Sequence, residues 1–139
     1  MILLDTNVVS ELMKAKPEPA VRAWMSRQPP GDLFLSTTSM AEILFGIELL
    51  PEGKRRDNLL QEAEITFARD FADRILSFDE KAARMFGTLV AARRVRGRPI
   101  GIADGQIAAI ARCHGASLVT RDTGDFEECG VKLINPWKE

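Results

Sequence analysis

The sequence predicts one α/β domain over residues 1–139, with a central, mainly parallel sheet sandwiched between helices. Three observations lead there. The strongest apolar runs are short and do not alternate with polar residues, as befits strands buried on both faces. The stretches between them repeat apolar residues at three- and four-residue spacing, the period of a helix lying on a core. No repeat, low-complexity segment or change of composition marks a second domain. Strands that alternate with helices favour parallel pairing, because parallel neighbours need a crossover connection.

Ile2–Leu4 opens the chain as the first strand, and Leu33–Leu35 reads as the second. Pro17, Pro19, Pro29-Pro30, Gly31 and Pro51-Glu52-Gly53 read as turns. Met40, Ile43, Leu44, Ile47 and Leu50 then mark a helix, and the more charged Arg55–Phe71 another, with Leu59, Leu60, Ala63 and Phe67 on one side. Ile75–Phe78 is the third strand. Asp79 opens a helix carrying Phe86, Leu89 and Val90, and Ile102, Ala103, Ile107, Ile110 and Ala111 form the most apolar helix. Ser117–Thr120 and Val131–Ile134 complete the strands.

At 139 residues the chain can bury roughly two-thirds of its unfolded surface. Its formal net charge of −1 supplies no global field toward nucleic acid or membrane, so such a contact needs a local patch. No apolar run approaches the ~20 residues of a membrane span, and the N-terminus lacks the charged start and long apolar core of a signal peptide. Two cysteines, Cys113 and Cys129, are expected as reduced thiols in a cytoplasm. Zinc is not expected at Cys113-His114, because His114 is the only histidine and a structural zinc site needs about four ligands.

In open parallel sheets the ligand crevice lies beyond the carboxyl ends of the strands. Asp5 follows the first strand, Glu42 lies early in the helix after the second, Asp104 falls on the first turn of the most apolar helix, and Asp122 follows the fourth strand. Each has a structural reading. Asp5 or Asn7 can cap a helix, Ser39-x-x-Glu42 fits a capping box, Asp104 suits a helix dipole, and Asp122-Thr123-Gly124 suits an Asx turn. Together these readings weaken. At about 6 Å and an effective dielectric near 20, each like-charged pair costs roughly 2–3 kcal/mol. A bound cation or protonation relieves that repulsion. An all-carboxylate set suits Mg²⁺, or Mn²⁺, better than zinc.

A carboxylate-held Mg²⁺ beside a phosphodiester can activate water and stabilise charge on the leaving oxygen. Thr6 can order a water or phosphate through its hydroxyl. There is no phosphate-cradling G-x-x-x-x-G-K-[ST] motif, and the lone histidine allows no Ser-His-Asp arrangement. Arg93, Arg94, Arg96 and Arg98 in "ARRVRGRP" are candidate RNA phosphate contacts, and Lys54, Arg55 and Arg56 add positive charge. Aromatics are few and tyrosine is absent, so base-stacking recognition by a sheet is poorly supported.

The stretches "LLDTN", "AEILFGI", "IADGQIAAIA" and "LVTRDTGDF", with the closing "NPW", together resemble a PIN-domain ribonuclease. More narrowly they resemble the toxin of a bacterial VapBC-type toxin–antitoxin pair, of the FitB-like branch. The resemblance runs from Met1 to Trp137. It implies a PIN-like α/β/α sandwich, Mg²⁺-dependent RNA cleavage, and a VapB/FitA-like antitoxin that blocks the site and alone contacts DNA. It implies Asp5 and Asp104 as principal metal ligands, completed by Glu42 and Asp122, with Thr6 and Asn7 in support. Many family members carry Asn where this chain has Asp122, and an Asp three residues on. Here Asp125 is acidic as well, and Asp122 is favoured for its closeness to the strand end. A homodimer is implied too, for which Phe45, Leu49, Leu50 and Phe67 offer apolar helical surface.

Other readings fit less well. A haloacid-dehalogenase-type phosphatase needs an acid where Asn7 stands, and a receiver domain needs a late lysine and a lone acid after the third strand. A housekeeping RNA-processing nuclease on the same fold, and an inactive RNA- or partner-binding module, remain as alternatives.

Overall fold

Ile2–Leu4 (β1) is the middle strand of a five-stranded sheet in a computed structural model that describes residues 1–139. It pairs in parallel with Leu33–Ser36 (β2) on one side and with Ser117–Val119 (β4) on the other. Ile75–Leu76 (β3) adds to β2 and Leu133–Ile134 (β5) to β4, so the order is β3-β2-β1-β4-β5 with every pairing parallel. Winding therefore reverses between β1 and β4. That is the switch point where such sheets open a crevice at their carboxyl edge.

The helices are Thr6–Leu12 (α1), Pro19–Ser26 (α2), Thr37–Glu48 (α3), Lys54–Ile65 (α4), Glu80–Val95 (α5) and Ile102–Cys113 (α6), with a π-helical turn over Thr66–Asp70 prolonging α4. Alternation along the strands divides the core between two faces. Leu4 and Val119 meet Val8, Val21, Ile43, Ala63 and Phe67 of α1 to α4 and the π turn. Leu3 and Leu118 point the other way, onto Leu89 of α5 and Ile107 and Ile110 of α6. Gly105 lets α5 and α6 close up, since a Cβ there would lie 2.8 Å from Val90 Cγ2 and 2.9 Å from Phe86 Cε2. No helix is long and apolar enough to cross a membrane.

Two local expectations are corrected. Pro19 does not make a turn: it is the first residue of α2, where a missing N–H costs nothing, and Val21 and Trp24 are buried. Ser39 does not open a capping box with Glu42. Ser36 caps α3, accepting from the Ser39 N–H at 3.0 Å, so the helix starts three residues earlier and Glu42 falls on its second turn. Asp79 caps α5 as expected, accepting from the Ala82 N–H at 2.9 Å.

Candidate functional site

Chain reversal at the ends of β1 and β4 sets the site. Asp5 leaves β1 and caps α1, where it is only 5% exposed. Its Oδ1 accepts from the Thr6 N–H at 2.8 Å, and its Oδ2 accepts from the Thr120 hydroxyl at 2.7 Å. Thr120, one residue past β4, itself accepts from the Asp122 N–H at 3.1 Å. Asn7, on the first turn of α1, donates to Asp122 Oδ2 at 3.1 Å and accepts from the Arg121 N–H at 3.4 Å. One hydrogen-bonded strip thus locks Asp5, Asn7 and Asp122 together. Burial pushes the Asp5 carboxyl up to about 6, against the pull of its two donors, and the charges of Asp104 and Glu42 add to the rise.

Glu42 reaches the same place from α3. Thr6 Oγ1 lies 2.6 Å from Glu42 Oε1 and 2.9 Å from Ser39 Oγ. Having one proton to give, the Thr6 hydroxyl donates to the carboxylate, the stronger acceptor, and Ser39 donates to Thr6. Asp104, on the first turn of α6, receives no hydrogen bond from any side chain or backbone group, although it is half-buried. Its carboxyl is raised by burial first, then by the charges of Glu42, Asp125 and Asp122, and nothing in the chain draws it back. Next to it, Gln106 accepts from the Thr38 hydroxyl at 3.0 Å and ties α6 to α3.

Asp122 and Asp125 both border Asp104 but sit differently. The Asp122 carboxylate is held by Asn7 and takes no part in its own turn, which closes through the Asp125 N–H and the Asp122 carbonyl at 3.0 Å. Asp125 shares with Asp104 a polar cleft of about 470 Å³, walled by Gly97, Arg98, Gly101 and Gly124. On the other side of the cluster a groove of about 830 Å³ runs from Glu42 between α1, α3 and α4, past Lys14, Lys54 and Arg55.

The arginine run behaves less uniformly than its sequence suggests. Arg93 offers no exposed guanidinium to a phosphate: it is buried, with Nε and Nη1 donating to the carbonyls of Arg98, Asp125 and Glu127. Arg98 bonds Glu127 at 3.0 Å and the Gly124 carbonyl at 3.3 Å, and Arg96 reaches the Glu128 carbonyl at 3.5 Å. Arg94 is exposed on the last turn of α5.

The donor set fits a hard divalent cation. It is all carboxylate oxygen, neighbouring carboxylates add to the rise at Asp5 and Asp104, and Asp104 has no protein donor. The cluster is open, however, for no three Asp, Glu, His or Cys side chains are drawn together closely enough to cage an ion outright. That suits Mg²⁺, which keeps several waters and takes only one or two carboxylates. Sequence reading missed Thr120, the hydroxyl that orients Asp5, and gave Ser39 a capping role instead of its bond to Thr6. Their only signal was position, one just beyond a strand end and the other one helical turn before Glu42.

The PIN domain model matches residues 2–132. The VapC ribonuclease Y4jK of Sinorhizobium fredii is 46% identical over 138 residues, covering 99% of each chain. The toxin FitB of Neisseria gonorrhoeae is 40% identical, with both chains covered in full. The crystal structure of FitAcB from Neisseria gonorrhoeae superposes with a TM-score of 0.94 at 40% identity over the whole of both chains. A FitAB structure bound to a DNA fragment gives 0.92 at 40% identity, over 99% of this chain and 96% of that one.

Proposed function

The chain belongs to the PIN domain family, and from that premise we propose that it is a metal-dependent endoribonuclease acting as the toxin of a bacterial toxin–antitoxin pair. The observation that carries the metal-dependent reading is Asp104, a half-buried carboxylate with no hydrogen-bond donor, facing Glu42, Asp122 and Asp125. A binder of RNA phosphate gains nothing from such crowding, whereas a cation needs it. The name of the VapC relative supports RNA as substrate.

Asp5 and Asp104 would hold Mg²⁺, or Mn²⁺, with Glu42 and one of Asp122 and Asp125 completing the set through water. When bound, the ion supplies Lewis acidity toward a phosphate oxygen and a more acidic water. The chain's own residues do the rest. Thr6 and Thr120 fix the carboxylates of Glu42 and Asp5, so little reorganisation is needed as charge develops. Asn7 keeps Asp122 aimed along the same edge. Asp104→Asn should lower RNA cleavage by purified protein at least about a hundredfold, an effect of the size seen when a charge-stabilising group is lost. The measurement is fragment formation from cellular RNA with Mg²⁺ or with chelator. Cutting that survives chelator, or that Asp104→Asn leaves intact, would sink the reading.

The partner we propose is an antitoxin of the VapB/FitA type, through which alone DNA is engaged, in a cytoplasmic complex. FitAB and FitAcB are the assemblies that support it. We further propose a homodimer through α3. Phe45 and Leu49, one turn apart on that helix, are 65% and 69% exposed, while Phe67 is buried in the core and offers no surface. In analytical ultracentrifugation the wild-type protein should sediment as a dimer, and the double variant Phe45→Glu, Leu49→Glu as a folded monomer. A dimer that tolerates both charges would place the contact elsewhere.

A further inference from the structure

The closing Asn135-Pro136-Trp137 has no role in the carboxylate cluster, yet it is held against Arg121, the neighbour of Asp122. The Asn135 side-chain amide donates to the Arg121 carbonyl at 3.2 Å, and Asn135 Oδ1 accepts from the Trp137 N–H at 2.9 Å. The indole packs on the core beneath α1 to α4, and the Arg121 guanidinium carbon lies 5.2 Å from its ring centroid. Arg121 is one residue from Asp122, and its own N–H donates to Asn7.

Of the four arginines in the run after Ala92, only the solvent-facing Arg94 is without a partner. Arg93 is buried on carbonyls, Arg98 is paired with Glu127, and Arg96 leans on the Glu128 carbonyl. The Arg121 guanidinium has no ion pair and no hydrogen bond, because its contacts with Asn7 and Asn135 are made by the backbone alone. A guanidinium resting on an aromatic face keeps its N–H fork free at the edge, and the stacking removes part of the disorder that binding would otherwise have to freeze out. Asn7 and Glu11 share one face of α1. The Glu11 carboxyl sits low chiefly through its hydrogen bond from Lys14, and it also feels the Arg121 charge, which puts the guanidinium alongside that face.

We propose that Arg121, laid on Trp137 at the rim of the carboxylate cluster, is a positioning residue that grips the RNA phosphate neighbouring the one to be cut. This rests on the ribonuclease reading above. Arg93, Arg96 and Arg98 then tie the end of α5 to the Gly124–Glu128 segment, and Asn135-Pro136-Trp137 is the platform that aims Arg121.

The test compares wild type, Arg121→Ala, Arg121→Lys and Trp137→Leu in cleavage of a single-stranded oligoribonucleotide. It adds salt-dependent binding of the same labelled oligonucleotide to Asp104→Asn protein in chelator, with and without each change. Arg121→Ala should raise KM about tenfold, with the loss carried by KM rather than kcat, the scale of a charge-assisted contact. It should also flatten the salt dependence of binding by about one phosphate contact. Arg121→Lys should keep the salt dependence and recover part of the KM, and Trp137→Leu should fall between. An unchanged KM and salt slope in Arg121→Ala, with only a lower Tm, would overturn the proposal and leave Arg121 a staple for the C-terminal segment. If wild type cuts no RNA, the ribonuclease reading fails on its own. The binding series still decides about Arg121, because an unchanged slope there overturns it.

Discussion

Asp5→Asn should make the metal-free protein more stable near neutral pH while abolishing its RNA cleavage. The Asp5 carboxyl titrates at about 6 in the folded chain, against an ordinary 3.8, chiefly because it is buried. A raised folded value means that the folded state binds the proton more tightly than the unfolded one. The resulting stability is fully present below 3.8 and is lost as pH rises through about 6. Near pH 7.5 the ionised Asp5 therefore costs about 3 kcal/mol, at ~1.4 kcal/mol per pH unit of displacement. Asparagine has nearly the same shape, keeps an acceptor for the Thr6 N–H while giving up the one for the Thr120 hydroxyl, and carries no charge. Urea denaturation should show a gain of about 2–3 kcal/mol for Asp5→Asn near pH 7.5, shrinking to about 1 kcal/mol near pH 4.5. Millimolar Mg²⁺ should raise the stability of wild type, through binding to the folded state alone, and do much less for the variant. A variant less stable than wild type at neutral pH would mean that the cap and the Thr120 bond outweigh the cost of the buried charge, and that Asp5 is not held under strain for an ion.

The sheet was legible because its strands are covered on both faces, so runs such as Ile2–Leu4 and Ser117–Val119 are apolar throughout. Strand ends then located Asp5 and Asp122, and helix starts located Asp104 and, one turn out of place, Glu42. What stayed hidden depended on contacts across the fold. Thr120 bonds Asp5 over 115 positions, a pairing that no local pattern encodes. Pro19 has two meanings, turn or helix start, and only the burial of Val21 and Trp24 separates them. Asp122 and Asp125 are both acidic, and their difference lies in partners: Asn7 for one, a shared cleft with Asp104 for the other. The burial of Arg93 stays hidden because a linear run of arginines conceals helix phase. Ala82, Phe86, Leu89 and Arg93 recur at helical spacing, and Arg93 follows that buried stripe inward while Arg94 points out.

That inward turn yields an effect on stability larger than any expected from the exposed arginines. Arg93 Nε donates to the Arg98 carbonyl at 2.7 Å, and Nη1 donates to the carbonyls of Asp125 and Glu127 at 3.0 and 2.9 Å. One side chain thus fastens the turn after α5 to the segment that carries Asp125. Arg93→Ala would strand carbonyls in a site where the arginine is only 3% exposed, and leave a cavity besides. The cost should be about 3–5 kcal/mol, the range for breaking a buried charged network. Arg93→Met should return the packing part but not the hydrogen bonds, and so fall between. Arg94→Ala, on the solvent side of the same helix, should change stability by less than about 0.5 kcal/mol. Amide hydrogen exchange should place the damage at Glu127–Cys129 as well as in α5, since the loop loses its anchor. Cleavage by Arg93→Ala should drop below what its folded fraction allows, because Asp125 is no longer held beside Asp104. The salt dependence of RNA binding should stay put, for a guanidinium that is spent on carbonyls has no phosphate to release. If Arg93→Ala instead kept wild-type stability and lost salt-dependent binding, the side chain would be a phosphate contact after all, and the loop would owe its position to Arg98.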